Sequence, residues 1–383
     1  MKIAICGTRG IPACYGGFET FAEEISHRLA NQGHDVIVYG RSHVINYKQN
    51  TYRGVRIKLL PAPRHKYLET PVHTFLSFLH ILFNPVDVIL LCNAANSPFI
   101  WVPRLRRIPV AVNVDGIERK RAKWSSLGKL WYRLGELSSV MMANKVISDA
   151  DVIRDYYKAT YRIDSSVIRY GFSERSPKVV EAKAAGKEND ELELPEEIFS
   201  DLGIKKGSYI LYVSRLEPEN NAHRVIAAYN SLPSPKIPLV IVGDAPYADS
   251  YKQSLHELAG DGVIFAGYRF REDYVNLQLG ANFYIQATEV GGTHPALVEA
   301  MGFANCIIAN GTPENREVVG DAALVYDTNN EKELSALIAK LLSNSETVKE
   351  YRRKAFVRAR SLFNWDKITN EYSILLSELK KGR

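Results

Sequence analysis

Short apolar runs alternate along this chain with longer stretches in which apolar positions recur every three or four residues. Strands are expected at 2–6, 35–39, 55–59, 86–91, 109–114 and 145–147, with a helix over 18–32 between the first two. A second series follows: strand 209–213, helix 222–230, strand 239–242, helix 250–259, strands 263–265 and 282–286, and a helix over 296–303. Such alternation predicts parallel sheets covered by helices, here as two doubly wound α/β halves. Residues 74–83 read as a buried helix. Residues 176–200 lose the strand signal and are rich in Lys, Glu, Ala and Gly, as an exposed connecting insertion would be. The tail, 331–380, is helical in pattern with a break at Trp365.

Length and composition sharpen this picture only slightly. A chain of 383 residues exceeds what one core usually spans, and 46% hydrophobic with 24% charged residues is ordinary for a soluble protein. The formal charge of +6 suits an anionic ligand or membrane surface and is too weak to argue for nucleic acid. Cys6, Cys14, Cys92 and Cys306 show no CxxC or zinc-like spacing, so a reducing compartment without a structural metal is expected. The first strand begins at once, without the pattern of a signal peptide, and no apolar run reaches the roughly 18 to 20 residues of a spanning helix. A cytoplasmic location follows as the expectation.

Candidate chemistry concentrates between Gln286 and Gly302. Gly291 and Gly292 ease a turn after a buried strand, and Pro295 suits the first turn of the next helix. The amides of Gly292, Thr293 and His294 would then point from a helix N-terminus, where the dipole favours a phosphate. Glu299, one turn further in, would accept from two vicinal ribose hydroxyls. The alternative is an ordinary strand-turn-helix in which Glu299 is surface charge. Near the N-terminus, the glycine-rich loop from Gly7 to Thr20 follows the first strand. A Rossmann dinucleotide site is its rival reading, but the spacing is not GxGxxG and the second strand ends at Arg41 instead of an acid, which leaves only NADP through a 2′-phosphate. No Walker, GxSxG or HExxH sequence is present. Open α/β sheets bind ligands at the carboxyl ends of their strands, so two facing sheets would place the ligand in a central cleft.

Taken together, the Gly16-Gly17 loop with its helix ending at 29–36, the turn Ser214-Arg215-Leu216 and the stretch Pro295-Ala-Leu-Val-Glu299-Ala-Met-Gly302 resemble family 4 of the retaining glycosyltransferases. That resemblance implies the GT-B fold: a Rossmann-like acceptor-side domain over 1–172, a nucleotide-sugar-binding domain over 173–360, and a C-terminal helix, 361–383, returning to the first domain. More narrowly, 7–13, 15–21 and 114–118 resemble bacterial rhamnosyltransferases of polysaccharide synthesis. By resemblance, Gly16 and Gly17 bring amides to the diphosphate, Arg215 pairs with it, Tyr268 and Arg269 border the nucleobase, Glu299 holds the ribose, and Thr293 and His294 lie beside the donor sugar. Arg215 would otherwise be a surface partner of Glu217 or Glu219.

Three positions depart from the family pattern. Asn220 stands where a second phosphate-clamping Lys is usual, and Arg9, His294 or Arg224 would have to compensate. Gly291 stands at the position of a usual Glu, with Glu289 two residues too early. Asp115 replaces a His that contacts the donor hydroxymethyl group, which suits a 6-deoxy sugar; it would alternatively act on the acceptor hydroxyl as a base, or cap the following turn. A retaining reaction without a clear nucleophile implies front-face displacement, and no Asp-x-Asp motif in metal-binding context is present, so neither metal nor cofactor is expected beyond the donor, dTDP-L-rhamnose.

Between Arg104 and Arg133 nine cations interleave with tryptophans, and Leu127, Leu130, Trp131, Leu134 and Leu137 recur at helical spacing. The stretch reads either as a core helix with a charged outer face or as a basic amphipathic surface resting on the inner leaflet, where a polyprenyl-diphosphate-linked saccharide acceptor would be delivered. The leading expectation is a rhamnosyltransferase of capsule or cell-wall polysaccharide assembly, peripheral to the membrane. The alternatives are another donor, a sugar-nucleotide epimerase, or an inert nucleotide-sugar-binding partner.

Overall fold

The computed structural model describes residues 1–14, 16–65, 67–114, 116–121, 124–187, 192–234, 236–245 and 248–382, with Lys120 described in its backbone only. Asp115, a candidate catalytic residue, lies outside the described residues, as do Tyr15 of the glycine loop and Lys123 of the basic stretch. The chain divides into two compact units, one of Met1–Gly171 with Trp365–Arg383 and one of Phe172–Asn364.

The first unit runs β1 (Lys2–Cys6), α1 (Gly17–Asn31), β2 (Asp35–Arg41), β3 (Thr51–Tyr52), β4 (Val55–Leu60), α2 (Glu69–Phe83), β5 (Val88–Cys92), α3 (Trp101–Arg104), β6 (Val110–Val114), α4 (Ser126–Met142), β7 (Lys145–Ser148), α5 (Asp151–Tyr161) and β8 (Ser166–Val167). Its sheet has the order β3-β4-β2-β1-β5-β6-β7-β8, parallel throughout except for the β3-β4 hairpin. Both faces are covered, which is why the central strands read as unbroken apolar runs. Ile3 and Ile5 pack on one side with α1, while Ala4 and Cys6 pack on the other.

In the second unit come α6 (Pro177–Ala184), α7 (Glu197–Asp201), β9 (Ile210–Val213), α8 (Ala222–Asn230), β10 (Leu239–Val242), α9 (Asp249–Leu258), β11 (Val263–Gly267), α10 (Arg271–Gly280), β12 (Phe283–Gln286), α11 (Pro295–Gly302), β13 (Cys306–Asn310), α12 (Pro313–Val319), β14 (Leu324–Tyr326), α13 (Glu331–Ser343) and α14 (Ser345–Leu362). The sheet, β11-β10-β9-β12-β13-β14, is wholly parallel. Ile210 and Tyr212 face one core and Leu211 the other. The helical tail breaks first at Asn344, whose side chain accepts from the amide of Thr347, and again before α15 (Trp365–Lys381). α15 belongs to the first unit, where Trp365 and Tyr372 bury their rings against Phe21 at centroid distances of 6.2 and 5.3 Å. Full burial of an aromatic ring contributes about 2 to 3 kcal/mol, enough to fix the helix there.

The described residues of 176–200 are not a wholly exposed insertion. Val180, Ala184, Leu192, Leu194, Ile198 and Phe199 are buried in the second core, and Lys183 is fully buried with them. The charged residues of the segment mask an apolar face too short to show periodicity. β13 and β14 are not among the expected strands, although both lie in short apolar runs, 306–309 and 322–326. α2 is not wholly buried either: Phe75, Leu79 and Phe83 are exposed. Among the described residues, no helix is long and apolar enough to cross a membrane.

Candidate functional site

In each sheet the strand order reverses once, between β1 and β5 and between β9 and β12. Such switch points open a crevice at the strands' carboxyl ends, and the sequence-marked loops leave from there. The glycine-rich loop follows β1, the Arg215 turn follows β9, and the Gly291-Gly292 turn follows β12.

The turn after β9 is held by backbone and side-chain bonds on all sides. Ser214 N donates to the Val242 carbonyl at 3.0 Å and Leu216 N to that of Asp244 at 3.3 Å. Asn220 Nδ2 donates to the Arg215 carbonyl at 2.6 Å, and Tyr212 donates its hydroxyl to the Asn220 carbonyl. Asn220 is buried, and its amide closes the turn. The Arg215 side chain is 31% exposed, and its Nη2 lies 3.7 Å from Glu217 Oε2. A half-exposed contact of that length is weak and readily exchanged for a phosphate. Arg224, a candidate replacement cation, is tied to Glu331 at 2.9 Å and to the Asn329 carbonyl at 3.3 Å.

The turn after β12 is joined to the first one. Glu289 N donates to the Glu219 carbonyl at 3.1 Å, and Asn221 Nδ2 to the Ala287 carbonyl at 3.0 Å. Asn310 also donates to Ala287, while Asn315 donates to the carbonyls of Thr288 and Asn310, each at 3.0 Å. Glu289 Oε2 accepts from Asn329 Nδ2 at 2.6 Å and Asn221 Nδ2 at 3.3 Å, so this carboxylate anchors the loop. A Cβ on Gly291 would come within 2.6 Å of Cε1 at the movable end of the His294 side chain, so the imidazole lies close against this turn. Thr293 and His294 precede α11, whose first turn holds no acid. The four asparagines escaped the sequence reading because they are scattered and share no spacing.

α1 is a poorer anion site than its glycines suggest. Glu19 sits in its first turn and accepts from Arg9 N at 2.9 Å, while Glu23 accepts from Ala13 N at 2.7 Å, so two carboxylates hold the loop. Gly16 is the extended N-cap and Gly17 the first helical residue. Arg41 is buried and ion-paired with Glu69 at 2.9 Å, which removes the cation that an NADP reading requires.

At the end of β11, Tyr268 stacks on Phe270 with ring centroids 5.7 Å apart, and Arg269 Nη1 is 4.0 Å from Asp273. Both rings are partly exposed, as a platform for a planar base would be. Glu299 Oε2 accepts from Tyr274 at 2.7 Å. Burial first, and then the adjacent Glu299 carboxylate, holds the Tyr274 phenol well above its ordinary pKa, so it remains a donor. Among the described residues no three His, Cys, Asp or Glu side chains gather as a metal site.

A second surface lies on the first unit. α4 buries Gly128, Gly135, Glu136 and Ser139 and turns its leucines outward: Leu127 is 78% and Leu137 43% exposed, with Leu130, Leu134 and Met141 between and beyond them. Gly135 permits this orientation, since a Cβ there would meet the Ala94 carbonyl oxygen at 2.5 Å. The core-helix reading of this stretch is thereby corrected. Phe99 links the stripe to α2, with ring centroids 6.0 Å from Phe75 and 6.1 Å from Trp131. Arg104, Arg106, Arg107, Lys129 and Arg133 are exposed around it, whereas Arg121 is paired with Glu118 at 2.6 Å and Arg119 donates to Tyr156 at 2.7 Å.

Comparison with known proteins agrees with this architecture. Residues 15–172 match the model of Glycosyltransferase Family 4, and residues 195–358 match that of Glycosyl transferases group 1. The alpha-monoglucosyldiacylglycerol synthase of Streptococcus pneumoniae is 23% identical over 93% of this chain and 82% of its own length. Sucrose-phosphate synthase from Thermosynechococcus elongatus superposes with a TM-score of 0.80 over the whole of both chains at 17% identity. HepE of Anabaena, solved with UDP-glucose, gives 0.77 over 98% of this chain and 99% of that one at 16% identity. Matched in both halves and sharing the two-sheet fold, this chain belongs to the GT-B glycosyltransferases of the group 1 and family 4 type.

Proposed function

We propose that this chain is a retaining glycosyltransferase that takes its sugar from a nucleotide-sugar donor, dTDP-L-rhamnose, and passes it to a polyprenyl-diphosphate-linked GlcNAc-type saccharide during capsule or cell-wall polysaccharide synthesis. The observation that carries this reading is the pair of joined turns at the β9-β12 switch point. One presents the Arg215 guanidinium and the other opens on the N-terminus of α11, which has no acid in its first turn. In the reaction, charge grows on the departing nucleoside diphosphate as the glycosidic bond breaks. Arg215, carried on a backbone turn that is held in place, and the amides before α11 would meet that charge, so they would stabilise the transition state more than the bound donor. Glu299 would hold the pentose of the nucleotide, through the 3′-hydroxyl that dTDP and UDP share, Tyr268 and Arg269 the base, and His294 and Thr293 the sugar. The leaving phosphate would help remove the acceptor proton, with Asp115 as the further candidate for acting on that hydroxyl.

Rhamnose rests on the likeness of the N-terminal loop to rhamnosyltransferases. A UDP-hexose donor is the second reading, favoured by the UDP-glucose complex of HepE and by the glucosyl transfer named for the streptococcal relative. Calorimetry with UDP, dTDP and GDP, followed by their sugars, decides between them. One pyrimidine diphosphate is expected to bind at least tenfold more tightly than GDP, a gap of about 1.4 kcal/mol. Failure of every nucleotide to bind would refute the proposal. Product formation on a lipid-linked acceptor separates an enzyme from an inert binding partner.

The outward leucines of α4 and the surrounding cations fit one occupant, an anionic bilayer surface, through complementary charge and insertable apolar side chains. This would place the enzyme on the inner face of the membrane, beside its acceptor. Wild-type protein is expected to float with phosphatidylglycerol-containing vesicles at low salt. Leu130→Asp with Leu134→Asp should reduce binding more than about tenfold, since each inserted leucine contributes roughly 1 to 2 kcal/mol. Equal flotation by wild type and variant would rule this surface out.

A further inference from the structure

Four buried or half-buried side chains form a line that ends on the carboxylate read above as the ribose holder. Lys183 Nζ donates to Asn305 Oδ1 at 2.8 Å, Asn305 Nδ2 to Gln278 Oε1 at 2.9 Å, Gln278 Nε2 to the Tyr274 hydroxyl at 3.0 Å, and that hydroxyl to Glu299 Oε2 at 2.7 Å. The line crosses α6, the turn after α11, α10 and α11 itself. We infer that Tyr274 is a positioning residue for Glu299, oriented by a one-way chain of hydrogen bonds that starts at Lys183.

Direction is dictated by chemistry at each link. The lysine donates N–H to two partners, Asn305 Oδ1 and the Gln278 carbonyl, the latter at 2.9 Å. Burial, and after it nearby Arg352, pushes its pKa far down; a neutral amine keeps two N–H groups for these two bonds and also has a lone pair, so the direction of the chain is set from the Glu299 end. With its oxygen held by Lys183, Asn305 must turn its NH₂ toward Gln278. Gln278 must then accept with its oxygen and donate with its nitrogen, and the Tyr274 proton is left facing Glu299. At the far end a carboxylate accepts only, so the phenol must donate to it and every link behind follows in the same sense. Bonds aligned this way polarise one another, and the low-dielectric surroundings strengthen each. One carboxylate oxygen is thereby fixed before the ligand arrives, and the rotamer of Glu299 need not be selected on binding.

This inference rests on the assignment of Glu299 to the ribose, and the test separates the two. Dissociation constants of the full-length protein are measured for UDP and dTDP and for their 3′-deoxy counterparts, with melting temperature as the control for folding. In the wild type, loss of the 3′-hydroxyl should weaken binding about tenfold or more, as for a hydrogen bond to a charged group. Tyr274→Phe should shrink that ratio to about threefold or less, while affinity for the 3′-deoxy compounds changes little. Gln278→Glu keeps the shape of the side chain but offers only acceptors, so it draws the phenol proton away and should shrink the ratio in the same way even if Tyr274→Phe fails to fold. A purely structural role would lower all affinities together and leave the ratio intact, which overturns the inference. Absence of any discrimination in the wild type would instead overturn the ribose assignment, and the inference with it.

Discussion

Arg215→Ala is expected to lower kcat by about 100- to 1000-fold, with a smaller rise in KM for the nucleotide sugar. Removal of one fixed donor from a developing oxyanion commonly has that effect, because the interaction is strongest when the charge is largest. Among the described residues the Arg215 side chain pairs with Glu217 at 3.7 Å, a weak contact whose loss should leave the melting temperature nearly unchanged. Arg215→Lys should recover part of the rate, since a point charge replaces the planar fork that can bind two phosphate oxygens at once. Steady-state kinetics with the donor found by calorimetry would check this. Activity within threefold of wild type for Arg215→Ala would show that the β9 turn does not hold the leaving group.

The second large effect is expected at Gly243, a residue with no functional side chain. It follows β10 with φ +132°, and a Cβ built there would stand 1.8 Å from the Ser214 carbonyl oxygen. Only glycine lets the turn that carries Arg215 lie across the end of β10. Gly243→Ala combines a strained backbone with a clash against main-chain atoms, so a loss of about 3 kcal/mol in the second unit is expected. The relief available is a shift of the Ser214-Arg215 turn, and displacement of a phosphate-binding group by about 1 Å is enough to cost roughly 100-fold in rate. Denaturant unfolding and kcat should therefore both change. Combining Gly243→Ala with Arg215→Ala should slow the reaction little beyond the worse single variant, because both act on the same contact. Unaltered unfolding and turnover in Gly243→Ala would contradict this account.

The strands that built the two sheets were legible because their signal is local. An apolar run such as 239–242 is buried on both faces whatever its neighbours are, and the structure places β10 at those residues. The same holds for the turn from β12 into α11, where two glycines and Pro295 act on the backbone of their own segment. Function-bearing side chains are less transparent when their role depends on a partner far away in sequence. Asn220 stands where a phosphate-binding Lys is usual, and what its amide does there, closing the turn beneath Arg215, could not be read from its neighbours in sequence. Glu289 looked displaced from a sugar contact, and it is held by Asn221 and Asn329 instead.

By itself, then, the sequence determined where the backbone alternates between strand and helix and which loops leave the switch points, since hydrophobic periodicity and glycine or proline stereochemistry act within a few residues. Tertiary structure alone decided that α4 would turn its small residues inward and its leucines out, because close approach to the Ala94 carbonyl admits glycine at 135 and nothing larger. It also decided that Lys183, in a segment that looks like a solvated linker, would be buried and start the chain to Glu299. Hydrogen-bond direction depends on every donor and acceptor brought together from residues 183 to 305, and no local pattern encodes that meeting.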